Sequence, residues 1–241
     1  MVSVMIEKKS GKTKKQKKQQ KKQFLFLVLL TVGIILFIGA IFLLMKRENT
    51  EEDNQQKKGT LQDQYKWPDF QVDLLSVNPY TRSGNELKTV KGIVVHYTAN
   101  PNTSAKQNRD YFEGLATSHK TKASCHFIVG LEGEALQLIP LNEISYASNN
   151  RNTDTISIET CHSDSTGKFN KKTYRKLVEM CAWLCLRYSL STDDIIRHYD
   201  VTGKLCPKYY VEHEDKWKTF KKDVKKKMKN YPIKQTDGLS N

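Results

Sequence analysis

The sequence contains no internal repeats, which excludes stacked-repeat architectures. Its five cysteines are an odd number in a chain this long. A complete disulfide framework is not expected, and at least one thiol must be free, ligating or buried. Acidic residues are scarce: 26 Asp and Glu stand against 40 Lys and Arg, for a formal charge of +14. The imbalance is uneven, because residues 1–23 hold nine lysines and one acid, Glu7. From Phe24 to Met45 there is no charge at all. That stretch is plainly not globular. The remainder suits a single domain of about 150–175 residues, enough to bury a core without staples.

The uncharged run FLFLVLLTVGIILFIGAIFLLM has 22 residues. As a helix it would reach about 33 Å, enough for a hydrocarbon core of about 30 Å. A cleaved signal peptide has a shorter apolar region, roughly 7–15 residues, and a small-residue cleavage site. The following LLMKREN offers no such site. The lysine block KKSGKTKKQKKQQKK precedes the run, and the far flank turns acidic at Glu48, Glu51, Glu52 and Asp53. The positive-inside bias therefore puts the N-terminus in the cytoplasm and everything after Met45 outside. The block is accounted for as an orientation signal, so no nucleic-acid partner is expected. Residues 46–68 are polar and read as a tether that lets a domain stand off the bilayer. The expected organisation is a basic cytoplasmic tail (1–23), a transmembrane helix (24–45), a polar linker (46–68) and an extracytoplasmic domain (69–241, core about 88–230).

In that domain KGIVVHYT (91–98) reads as a buried strand. TSAKQNRDYFEGLA (103–116) reads as a helix opened by a Thr or Ser cap. ASCHFIVG (123–130) and Ala135–Ile139 form a hairpin that turns near Glu132-Gly133, and 140–153 is a loop. TISIET (155–160) alternates, with Ile156 and Ile158 on one side and Ser157 and Glu159 on the other. KKTYRKLVEMCAWLCLRYSL (171–190) carries Leu177, Met180, Cys181, Leu184, Cys185 and Tyr188 at helical spacing, with both cysteines as packing residues. DDIIRH (193–198) is a short strand, and a last helix covers about 212–229. The fold class is α/β: a mixed central sheet covered by helices.

Three strands end in a reactive residue: His96, Glu159 and His198. Active sites of open α/β sheets collect at strand ends. The stretch RHYDVTGKLCP (197–207) adds Lys204 and Cys206. Pro207 pushes Cys206 towards an extended conformation, so Lys204 and Cys206 point the same way. A thiolate and two neutral imidazoles suit Zn²⁺, and three protein ligands leave a fourth position open. Glu159 could then take a proton from water, and Lys204 could stabilise an oxyanion. A cysteine hydrolase, with Cys206 as nucleophile and His198 as base, is a rival reading. It leaves His96 and Lys204 without roles.

These residues carry a family likeness. From about Lys91 to Trp217 the chain resembles the zinc-dependent N-acetylmuramoyl-L-alanine amidases of type 2, which share a fold with phage T7 lysozyme and animal peptidoglycan recognition proteins. The likeness rests on GIVVHYTAN, ASCHFIVGLEGEALQLIP, NTDTISIE and RHYDVTGKLCP, in the family's order. It implies one zinc ion on His96, His198 and Cys206, with Glu159 assisting the water and Lys204 stabilising the tetrahedral intermediate. It also implies peptidoglycan as substrate, cut at the amide between N-acetylmuramic acid and L-alanine. Many relatives carry Trp-His-Ala-Gly where this chain has SerTyrAlaSer (145–148), and T7-like members have a tyrosine in the place of Cys125. Both departures touch the expected groove rim. Cys125, His126, Tyr146 and His162 are candidates for the groove or for support of the ligands, while His119 and His213 are expected at the surface.

Some members of the superfamily bind peptidoglycan without cutting it, typically without the cysteine ligand, so a receptor module is the alternative function. The eight lysines between 216 and 229 read as a solvated helix face or as an attraction for anionic wall polymers or a lipid surface. A membrane-anchored wall hydrolase fits a bacterial host whose wall begins just beyond the membrane.

Overall fold

The computed structural model describes residues 64–234, and before them a subset of positions between 21 and 47. The chain divides into two compact units, Met1–Lys58 and Gly59–Asn241. In the first, the described positions are helical, and Phe26, Leu36, Phe42 and Leu43 are exposed. Among the described residues no helix is long and apolar enough to cross a membrane. The expected span 24–45 lies partly outside the described residues, as do nearly all of the 1–23 tail and most of the linker.

The second unit is a six-stranded sheet in the order β1-β4-β3-β5-β2-β6. The strands are β1 (Gln71–Val72), β2 (Gly92–Val95), β3 (Phe127–Val129), β4 (Ala135–Gln137), β5 (Thr155–Thr160) and β6 (Ile195–Arg197). All neighbours are parallel except the hairpin pair β3 and β4. Helix α1 (Ala105–Ser118) covers one face; α2 (Lys171–Tyr188) and α5 (Glu214–Lys229) cover the other. Between β6 and α5 lie two short helices, α3 (His198–Thr202) and α4 (Lys208–Glu212).

Local chemistry sets the helix ends. Ser104 caps α1 in a reciprocal box with Gln107, and Asn170 caps α2 through the amides of Lys172 and Thr173. Each such cap contributes about 1 kcal/mol. The apolar stripe of α2 buries Leu177, Met180, Cys181, Leu184 and Cys185 together with Trp183, under Ile93, Val95, Ile156 and Ile158. All five cysteines are free and buried.

Three elements differ from the sequence reading. The expected 212–229 helix is present as Glu214–Lys229, but a separate short helix, Lys208–Glu212, precedes it, and His213 between them stacks on Tyr209. His198 opens α3 rather than closing β6. Residues 64–68, expected in the linker, belong to the second unit. Lys66 N–H donates to Pro232 O, Lys234 N–H donates to Gln64 O, and Trp67 packs on Phe70 and Trp183. Non-local pairing with the C-terminal residues decided this boundary, and β1 escaped notice because it has only two residues.

His126, a groove candidate, is sealed inside this unit. Its Nδ1 accepts the Ser157 amide N–H at 3.0 Å, and its Nε2–H donates to the Glu143 carbonyl at 2.9 Å. Burial pushes its pKa down to about 4. Protonating Nδ1 would cost the Ser157 bond. Between about 6.5 and 4 the unfolded chain binds this proton and the folded chain does not. The stabilisation is therefore complete above about pH 6.5 and is lost as pH falls towards 4, by about 2 kcal/mol from pH 7 to 5. Urea denaturation of wild type and His126→Gln at both pH values should show a smaller pH effect in the variant. Equal slopes would remove His126 as the titrating group.

Candidate metal centre

Strand register builds the site. Val95 of β2 lies opposite Ile158 of β5 and Arg197 of β6. One residue further on, the parallel strands present His96, Glu159 and His198 side by side at the same sheet edge. Alternation turns these away from the α2 layer, into a cleft beside α1. Gly203, at φ 77°, takes the left-handed conformation that ends α3 and reverses the chain. The Tyr199 N–H then donates to Cys206 O at 2.9 Å, which brings the thiol back over His96.

One ligand atom each from His96, His198 and Cys206 lie within 4.8 Å of one another. Cys206 Sγ is 3.8 Å from His96 Nδ1. Donors about 2.1 and 2.3 Å from a shared tetrahedral zinc are about 3.6 Å apart, so the spacing fits. The imidazoles meet edge to face, with centroids 4.7 Å apart. His96 Nε2 contacts Ser148 Oγ at 3.3 Å, and His198 Nε2 contacts the Asn149 amide oxygen at 2.9 Å. An amide oxygen only accepts, so the His198 Nε2 carries the hydrogen and Nδ1 keeps its lone pair. The loop at 148–149 thus anchors both Nε2 atoms, while His96 Nδ1 faces the thiol.

Electrostatics agree with a cation at the centre. Burial, then His198 and Lys204, hold the His96 pKa well below its ordinary value, and burial and Lys204 lower that of His198. Both rings are neutral, which is the ligating form. Burial, and next the Glu159 charge, push the Cys206 thiol up to about 12. A bound dication reverses that preference and stabilises the thiolate. The three side chains therefore fit a zinc ion in number, type and spacing.

Glu159 Oε1 is 3.9 Å from His96 Nδ1, and its Oε2 is buried with no hydrogen-bond partner. Burial pushes its carboxyl up to about 8, opposed by Lys204. Lys204 is exposed at the cleft mouth. The cleft, about 500 Å³, is also lined by Tyr97, Phe112, Lys122, Tyr146 and Asn152. Lys122 lies over the Tyr146 ring. Beneath, Arg197 bonds Asp200, Glu214 and the Tyr210 carbonyl, which ties α3 to α4 and α5.

The five residues His96, Glu159, His198, Lys204 and Cys206 all fall inside residues 86–209, the segment that matches the sequence family described as N-acetylmuramoyl-L-alanine amidase. This chain belongs to that family. It is 41% identical over 177 residues to N-acetylmuramoyl-L-alanine amidase CwlL of Bacillus licheniformis, a match covering 68% of this chain and 49% of that protein. To amidase BlyA of Bacillus subtilis it is 36% identical over 180 residues, covering 66% and 47%. The chain thus spans about half the length of the curated relatives it matches. Among solved structures, the catalytic domain of XlyA is similar at TM-score 0.55 and 26% identity, covering 65% of this chain and 99% of that one. PlyL is similar at 0.56 and 25%, covering 65% and 97%.

Of the groove candidates in this amidase-family chain, Tyr146 lines the cleft. Cys125 and His126 do not. Cys125 packs in the apolar layer with Ile128 and Leu136 because its side chain turns under α1. His162 is buried beside Tyr97, with Nδ1 bonded to the Asp164 carbonyl, one layer behind the cleft wall. His119 and His213 are exposed. Ser148, Asn149 and Lys122 escaped the sequence reading, because a polar loop residue signals nothing until its partner is known.

Removing Asn149 should release the His198 ring. Asn149→Ala is expected to weaken Zn²⁺ affinity about 10- to 100-fold, measured by competition with a chromophoric chelator. Unchanged affinity would show that His198 needs no such anchor.

Proposed function

We propose that this chain is a zinc-dependent N-acetylmuramoyl-L-alanine amidase that cleaves the bond between N-acetylmuramic acid and L-alanine of the stem peptide, held at a membrane by residues 24–45. The observation that carries the reading is the meeting of three zinc-type donors, a buried carboxyl and a lysine in one open cleft. His96, His198 and Cys206 would hold one Zn²⁺. When bound, the ion supplies a Lewis acid that polarises the carbonyl and acidifies water.

With a cation on the three donors favouring its ionised form, Glu159 would take the proton of the attacking water. With one unpartnered oxygen and a proton affinity near neutrality, it can pass that proton to the departing nitrogen as the C–N bond breaks. The products are a lactyl carboxylate and the free amine of L-alanine. Lys204 places an ammonium where charge develops on the carbonyl oxygen. Tyr146 and Lys122 offer an aromatic face and a cation to the peptide side of the cleft.

Membrane attachment is supported by the 22-residue uncharged run behind a lysine block and by the exposed apolar side chains of its described helical positions. The N-terminus is then cytoplasmic and the amidase domain faces the wall.

His96→Ala and Cys206→Ser should lose bound zinc and muropeptide hydrolysis together, read by metal analysis and mass spectrometry of released stem peptides. Glu159→Gln should retain zinc and lose about 10²–10⁴ in rate; full activity would remove Glu159 from the proton path. Zinc-loaded wild type that releases no stem peptide but retains wall binding would make the chain a receptor instead. In cells, the full chain should resist alkaline carbonate extraction, whereas a chain lacking residues 1–45 should not. Extraction of both would end the anchor reading.

A further inference from the structure

A second concavity, about 340 Å³, lies away from the metal cleft and shares no lining residue with it. Its walls come from the segment entering α2, the first turns of α2, and α4 and α5. Phe169, Tyr174, Tyr209 and Tyr210 supply four aromatic faces, and Lys168, Lys171, Arg175 and Lys216 supply four cations. No acidic residue lines it.

Three of the four cations lack a directly paired carboxylate, Asp164 acting on Lys168 only at longer range. Lys216 pairs with Asp215. Lys168, Lys171 and Arg175 form no ion pair among the described residues, in a unit where Arg82, Arg109, Arg151 and Arg197 all do. The Lys168 ammonium rests over the Tyr209 ring instead. The nearby carboxylate of Asp223 is engaged by the Tyr174 hydroxyl at 2.6 Å. An excess of like charge around an apolar floor favours a bound anion. The volume falls in the range of small-ligand sites, which pair an apolar lining with a few placed polar groups.

We propose that this cavity binds a phosphodiester-linked polyol chain, with phosphates on Lys168, Lys171 and Arg175 and the carbon backbone of the polyol against the tyrosine rings. Arg175 and Tyr174 also line the adjoining groove, where Lys226 and Lys227 outnumber the one carboxylate, Asp223, so a polymer has a net cationic path out of the cavity along α2 and α5. A planar lipid surface would touch the outer lysines of α5 but would not fill a concave site. The site differs from those outer lysines because charge and aromatic surface are combined in it.

The test is calorimetric binding of a defined glycerol-phosphate oligomer to the full chain in detergent, which reads no amidase activity and so stands apart from the assigned reaction. The variant Lys168→Gln/Lys171→Gln/Arg175→Gln should bind at least tenfold more weakly. A variant of the same charge loss on the exposed face of α5, Lys218→Gln/Lys222→Gln/Lys225→Gln, should change affinity less than threefold. Polyglutamate of similar charge should bind at least tenfold more weakly than the phosphate oligomer, and so should glycerophosphoglycerol, the headgroup without its lipid chains. Equal losses in the two triple variants would mean diffuse charge attraction. Equal binding of polyglutamate, or of the single headgroup, would also overturn the proposal.

Discussion

The parallel pairing of β2 with β5 and β6 is the constraint on which the site depends. Because Val95 is in register with both Ile158 and Arg197, the next residues on all three strands share one edge and one face. A slip of one residue in either pairing would turn a donor towards the α2 layer, among Trp183 and Ile156. The apolar layer under α2 therefore enforces the register, since Ile93, Val95, Ile156, Ile158 and Ile195 are all fully buried there. Core packing and metal geometry are two faces of the same alignment.

The three donors and Glu159 are costly to assemble without a cation. Burial disfavours the Cys206 thiolate and the Glu159 carboxylate, while two imidazoles are kept neutral beside them. A divalent cation relieves the first two and matches the third, which is why the same arrangement that opposes free charge suits zinc. The polar loop at 148–149 and the Arg197 network with Asp200 and Glu214 hold the donors at either side. These contacts let a buried polar centre stand at the edge of a sheet otherwise dressed in Val, Ile and Phe.

Charge is unevenly distributed across the second unit. The metal cleft carries Lys122 and Lys204 beside its single carboxylate. The α2–α5 side carries cations with few partners and several aromatic rings. The Phe169–Tyr210 ring contact, part of the main core, lines the second and not the first.

Local pattern alone determined much of this molecule. The Ser104 cap, the apolar stripe of α2, the alternation of β5 and the His–Lys–Cys spacing after β6 are all short-range features, and local sterics and burial periodicity are written in the order of residues. Tertiary structure decided what local pattern cannot carry. It paired Gln64 and Lys66 with Pro232–Lys234, and sent Cys125 and His126 inward. It also recruited Ser148 and Asn149 to the imidazoles and joined Lys168 to Lys216 across one cavity. The physical reason is common to all of these: each depends on partners dozens of residues away, and a side chain's role there is set by what the fold brings within 3 or 4 Å of it, not by its neighbours along the chain.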